Sequence, residues 1–217
     1  NNVDFATAAT LPVVYTTSMA ALAECAVVTP NDWVLVHAAA GGVGLAAIEI
    51  AKAMGANVIA TASSKEKLAT AGHHGADVGI NYTEEDWATQ VNDVTKGRGA
   101  NHIVDPVGGA IGEQSLNCIA RDGNLLVVGF ASGVASKYEG HKLQLKRAAA
   151  KGVYWSHDQD ATMLKRINKS LIEMLISEKI RPMVDTEFSF DELPDALYAL
   201  ATRLVHGKLV LRVGADI

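Results

Sequence analysis

WVLVHAAAGGVGLAAIEIAKAM, residues 33–54, reads as a buried strand, a glycine turn and a helix in immediate succession. Trp33–Val36 is a short apolar run of the kind a parallel sheet buries on both faces. Ala40-Gly41-Gly42 interrupts it, and from Val43 apolar residues recur at helical spacing through Ala46, Ala47, Ile50, Ala51 and Met54. Set against the dinucleotide fingerprint G-x-G-x-x-G, the frame is Ala39-x-Gly41-x-x-Gly44, with alanine in the first glycine position. Small residues are needed here because backbone must come close to a pyrophosphate and Gly44 must let the helix pack on the strand. The helix N-terminus supplies free N–H groups and a partial positive charge. A plain glycine-rich turn would share the pattern; its place between strand and helix makes phosphate binding the stronger reading.

With 217 residues, 49% of them hydrophobic, the chain can bury one substantial core and part of a second. A net charge of −5 argues against a nucleic-acid or anionic-membrane partner. No apolar run approaches the roughly 18–20 residues that span a bilayer, and no secretory signal opens the chain. Cys25 and Cys118 sit in helix-like segments without a second ligand at metal spacing, so both read as buried small hydrophobes in a reduced, cytoplasmic compartment. An opening Asn1 in place of Met reads as an excised fragment or a processed chain.

Ahead of the glycine turn, residues 2–28 are Ala- and Thr-rich, and Pro12 divides them into a short and a longer helical piece. Strand candidates then follow at Trp33–His37, Asn57–Thr61, Val78–Ile80, His102–Asp105, Asn124–Val128 and Gly152–Trp155. Helix candidates lie between them at Val43–Met54, Lys65–Ala71, Glu84–Thr95, Ile111–Ala120 and Lys142–Ala149. The alternation predicts an α/β fold, a doubly wound parallel six-stranded sheet. The tail adds a helix at Ala161–Ser177, a strand at Val184–Phe188, a helix at Asp191–Leu204 with a capping box at Ser189-x-x-Glu192, and an apolar strand at Lys208–Val213. That last strand is expected to lack a partner within the chain. The organisation expected is hinge helices over residues 1–30, a dinucleotide-binding domain over 31–180 and a remnant of a second domain over 181–217.

A pocket for NAD places an acid at the end of the second strand, to bond the ribose hydroxyls. Here that region is Thr61-Ala62-Ser63-Ser64-Lys65-Glu66-Lys67, with hydroxyls and lysines and no acid at the strand end. Such a set suits a 2′-phosphate and favours NADPH over NADH. Ser63-x-x-Glu66 is equally readable as a capping box, and lysines on a helix are commonly solvated.

The stretches LPVVYTTSMAAL, VLVHAAAGGVGLAAIEIAKAMGA, NVIATASSKEKL, GADVGINYTEED, VDPVGG, LLVVGFASG, GVYW and GKLVLRV together resemble the quinone oxidoreductase branch of the medium-chain dehydrogenase/reductase family. The resemblance implies that Gly41, Gly42 and Val43 form the pyrophosphate turn, that Lys67 meets a 2′-phosphate and that Tyr82 lies beside it. It also implies that Thr17, Gly129 and Phe130 pass the nicotinamide and that Arg203 lies near the cofactor. Without the family frame, Tyr82 would be a strand-end aromatic and Arg203 a solvated helix residue.

The family carries a β-rich domain ahead of the hinge to which this chain has no counterpart. The expectation is therefore a cofactor half-site without most of the substrate site. The resemblance implies a zinc-independent enzyme transferring hydride from NADPH to a quinone or other enone or carbonyl compound, and a homodimer through the edge strand Gly152–Trp155. A dinucleotide-binding module without turnover, a redox sensor or structural protein, is the alternative. No residue reads as a convincing general acid. His37 at a strand end reads as structural, His73-His74 as helix-end cations, and Asp105-Pro106 as shaping the adenosine side.

Overall fold

The computed structural model describes residues 3–214. Helix α1 (Phe5–Ala26) leads into β1 (Trp33–Val36), α2 (Gly42–Ala53), β2 (Asn57–Ala62), α3 (Lys65–His73), β3 (Val78–Asn81), α4 (Trp87–Val94) and β4 (Ala100–Asp105). Then come α5 (Gly109–Gln114), β5 (Ile119–Val127), α6 (Gly140–Lys146), β6 (Ala149–Gly152) and α7 (Ala161–Ile176). The strands form one sheet in the order β3-β2-β1-β4-β5-β6, all parallel. The chain walks outward to β3, returns to lay β4 on the other side of β1, and continues to β6, so the order reverses between β1 and β4.

Side chains that alternate along each strand enter two different layers. Val34, Val36, Val58, Ala60, Val104 and Leu126 pack with α1, α2 and α7, whereas Leu35, Ile59, Ile80, Ile103 and Leu125 pack with Trp87 and Val91 of α4 and with Leu116. Both faces are dry, which is why these strands are continuously apolar and show no polar alternation.

Helix α1 continues straight through Pro12, where the sequence predicts a division. Leu11–Tyr15 and Ala20–Ala26 are π-helical, and the wider turn accepts a proline that offers no N–H. At 22 residues α1 is, by length and composition, long and apolar enough to cross a membrane, contrary to the reading of the linear sequence. About half of it is buried inside the molecule, where Val14, Tyr15, Met19, Ala21 and Leu22 join the core of α2 and α7.

Several element boundaries differ from the predicted ones. The helix begun at Ile111 stops at Gln114 and a 3-10 turn at Ser115–Asn117, and β5 starts at Ile119 to pair with Ala100. The next helix closes at Lys146 because Arg147 takes a left-handed backbone (φ 51°). The edge strand predicted at Gly152–Trp155 therefore runs from Ala149 to Gly152, and Trp155 turns back to bond the hydroxyl of Thr17.

In the tail, β7 (Val184–Ser189) is followed by a 3-10 turn, α8 (Leu193–Ala201) and β8 (Lys208–Arg212). The capping box at Ser189 and Glu192 forms as the sequence predicts. β8 is not unpaired: it lies parallel to β7 in a two-stranded sheet, and Gly207 makes an isolated bridge to Gly41. The end residues of the expected first and last segments, 1 and 217, lie outside the described residues.

Candidate dinucleotide site

In a parallel sheet all strands end on one side, and a ligand crevice opens where the order reverses. The topology collects at that edge Ala39–Val43 after β1, Ser63 and Ser64 after β2, Tyr82 after β3, residues 106–109 after β4, and Gly129 with Phe130 after β5.

The turn after β1 is tight. Ala38 has a left-handed backbone (φ 47°), one residue before the position the fingerprint frame assigns to the first glycine. Ala39 is fully buried and gives its N–H to the Thr61 carbonyl at 3.0 Å, so it shapes the turn from within. Gly41 caps α2, and the first intrahelical bond runs from the Leu45 N–H to the Gly41 carbonyl at 2.9 Å. The N–H groups of Gly42, Val43 and Gly44 precede that bond and are open to an anion. A Cβ on Gly44 would stand 2.5 Å from the Ala38 carbonyl oxygen, so only glycine lets α2 start this close to β1. Ser18, which sequence reasoning missed, donates from its hydroxyl to the Val43 carbonyl at 3.1 Å and ties the turn to α1.

After β2 the cap of α3 is Ser64, not Ser63: the Ser64 hydroxyl accepts from the Lys67 N–H at 3.3 Å, and Ser63 is exposed. The same hydroxyl is the main cause holding the Glu66 carboxyl below the usual range. The Lys67 ammonium donates to the Arg203 carbonyl at 2.9 Å, and the hydroxyl of Thr70 pairs with Nδ1 of His206 at 2.8 Å. Gly207 donates its N–H to the Ala40 carbonyl at 2.8 Å. Residues 203–208 thus form a strap joining the turn after β1 to α3. The apolar tail pattern gave no sign of it; only the family frame pointed at Arg203. Tyr82 is half-buried, and its N–H is bonded to the Ala62 carbonyl at 3.2 Å.

Toward the other end of the crevice, Thr17 accepts from the Trp155 indole at 3.1 Å, and Phe130 is 64% exposed. Asp105 is fully buried. Its Oδ1 accepts from the N–H groups of Val107 at 2.8 Å and Gly108 at 2.9 Å, and burial raises its carboxyl above the ordinary range. A Cβ on Gly108 would meet the Val134 carbonyl at 2.7 Å, so the DPVGG glycines let residues 130–138 lie directly on this turn. An apolar cavity of about 320 Å³ opens between α1 and α7, lined by Leu11, Pro12, Thr16, Trp155 and Leu171 among others.

His37 lies sealed in the core. Its ring nitrogens pair with the hydroxyls of Thr61 at 2.7 Å and Ser115 at 2.8 Å, its edge meets Trp87, and burial pushes its pKa down to about 3. It is a structural residue. His74 does more than end a helix: it pairs with buried Glu49 at 2.6 Å, which also accepts from the Tyr15 hydroxyl at 2.6 Å and the Arg181 N–H at 3.0 Å. Among the described residues no group of three or more His, Cys, Asp and Glu could hold a metal ion.

Residues 42–169 match the family described as zinc-binding dehydrogenase. A quinone oxidoreductase-like protein 2 homolog of Nematostella vectensis is 36% identical over 97% of this chain. A crystal structure of an NAD-dependent alcohol dehydrogenase superposes with a TM-score of 0.88 at 33% identity, covering 98% of this chain and 60% of that one. The Escherichia coli quinone oxidoreductase complexed with NADPH gives 0.87 at 28% identity, covering 97% and 66%. The chain spans 59% of the Nematostella relative, so it corresponds to about three fifths of such a protein. Sequence, topology and strand-end site agree: the chain belongs to the zinc-binding dehydrogenase family, within the quinone oxidoreductase branch of the medium-chain dehydrogenases/reductases.

Proposed function

We propose that this chain is the cofactor-binding part of a zinc-independent, NADPH-dependent oxidoreductase acting on a quinone or another enone or carbonyl compound. The observation that carries the reading is the glycine turn, where the N–H groups of Gly42, Val43 and Gly44 precede the first intrahelical bond at the one place where the strand order reverses. Lys67 meets the Arg203 carbonyl beside the end of β2, Tyr82 pairs with Ala62 there, and the strand itself ends in Thr61-Ala62 without the acid that a ribose 2′-hydroxyl would call for. Lys67 and Arg203 would hold a 2′-phosphate, the turn a pyrophosphate, and Thr17, Gly129 and Phe130 would border the nicotinamide. Bound there, NADPH supplies a hydride; the protein supplies position, charge and exclusion of water. Among the described residues no group of three or more His, Cys, Asp and Glu could hold zinc.

A thermal melt with NADPH, NADH or no nucleotide tests this, because a ligand bound only by the native state raises its stability. A rise of several degrees with NADPH and little with NADH is expected; no rise with either would sink the reading. Turnover of NADPH with 1,2-naphthoquinone by the full-length protein separates an enzyme from a binding module. The module reading draws support from His37, which lies sealed in the core and cannot reach a substrate. We further propose that the exposed edge β6 pairs with a second copy. Light scattering that found a clean monomer at high concentration would refute the pairing.

A further inference from the structure

We infer that Lys208 is a pyrophosphate-binding residue, carried over the glycine turn by the strap at residues 203–208. The inference rests on the dinucleotide reading above and names a group in that site which neither the fingerprint nor the family frame assigns.

Four observations converge on it. The strap is locked in place by backbone: the Gly207 N–H bonds the Ala40 carbonyl at 2.8 Å, and Gly207 bridges to Gly41. The next residue is Lys208, and its stem crosses the turn so closely that a Cβ on Gly42 would stand 2.8 Å from the lysine Cδ. Its backbone is held by the Met183 carbonyl at 3.2 Å, so the residue cannot swing away without unpairing the start of β8. Its ammonium makes no hydrogen bond or ion pair among the described residues, unlike Lys67, which is engaged.

The placement sets positive charge against positive charge. The first turn of α2 carries the positive end of the helix dipole, has no acidic residue to balance it, and leaves the N–H groups of Gly42, Val43 and Gly44 without intrahelical partners. A lysine held against that end repels it unless an anion lies between them. A helix end alone would point to no ligand; a tethered cation with a free ammonium beside it does. A diphosphate carries the charge and the oxygens to meet both at once.

Lys208→Met keeps the stem and removes the charge. Affinities for NADPH and NADH are expected to fall together, by roughly ten- to a hundredfold, because both carry the pyrophosphate. Affinity for 2′-AMP, which has no pyrophosphate, is expected to hold. The melting temperature without nucleotide should stay level or rise, since a repulsion is removed, and Lys208→Arg should restore most of the affinity. Unchanged binding of both dinucleotides by Lys208→Met would overturn the inference, as would a loss confined to NADPH or a fall in stability without ligand. A wild-type chain that binds neither dinucleotide would instead overturn the functional reading, and this inference with it.

Discussion

Gly44→Ala sets two opposed effects against each other, and the structure decides which wins. In a helix interior alanine is favoured over glycine by about 1 kcal/mol, since glycine loses more backbone freedom. At Gly44, however, the added Cβ would lie 2.5 Å from the Ala38 oxygen, 2.7 Å from the Ala39 Cα and 2.7 Å from the Ala39 oxygen. All three are backbone atoms of a turn pinned between β1 and β2, so none can yield as a flexible side-chain end would. Relief requires α2 to lift from the sheet, and overpacking of this kind costs about 1–3 kcal/mol, occasionally more. With three backbone clashes the cost lies in the upper part of that range, about 2–3 kcal/mol, so net destabilisation of about 1–2 kcal/mol is expected, or a fall in Tm of roughly 2–8 °C at this chain length. Gly72→Ala in α3 is the control, because its Cβ would meet nothing within 4 Å. That substitution should stabilise by about 0.5–1 kcal/mol. Urea unfolding of the two variants and the parent supplies the comparison. If Gly44→Ala were as stabilising as Gly72→Ala, the account of why this turn needs glycine would be wrong.

Glu49→Ala would strand the Tyr15 hydroxyl, the His74 ring and the Arg181 N–H in a buried site, and a loss of about 3–5 kcal/mol in urea unfolding is expected. His37 is kept neutral when folded, with its pKa near 3, so acidification charges it first in the unfolded chain. Stability should fall as pH drops from about 6.5 toward 3, and His37→Gln should flatten that limb even while lowering stability at pH 7; an unchanged acid limb would contradict this. Asp105 is the opposite case, a carboxyl whose folded pKa is raised by burial, so its contribution is full at low pH and is lost as pH rises through that folded value. Asp105→Asn should stabilise at neutral pH, with the gain vanishing below the ordinary carboxylate range of about 4, as melts across pH would show.

Much of the fold was legible because its signals are local. Trp33–Val36 and Val43–Met54 show strand and helix within one glance, and each later strand is short and apolar for the same reason, burial on both faces. Boundaries failed where a single backbone angle decides. Arg147 at φ 51° ends α6 early and shifts the edge strand by three residues, and no side-chain pattern announces that angle. Pro12 misled because a π-helical turn tolerates it. In the site, the glycines were visible from their spacing. The strap was not, since Lys67 and Arg203 are 136 positions apart and their contact runs through a backbone carbonyl, which is the same in every residue type. Ser18 and Lys208 escaped for a similar reason: each acts across elements that only the folded chain brings together.

The Glu49 carboxylate joins segments that enter the fold from residues 15, 74 and 181 as well as from its own helix. One group shared by four stretches of chain cannot be released by any of them alone. Opening the end of α1, or peeling back the chain ahead of β7, exposes the same buried charge and carries the same cost. These pieces should therefore unfold as a single cooperative unit, and in native-state hydrogen exchange the amide of Arg181 should show the slow rate of α2, not the rate of a fraying tail.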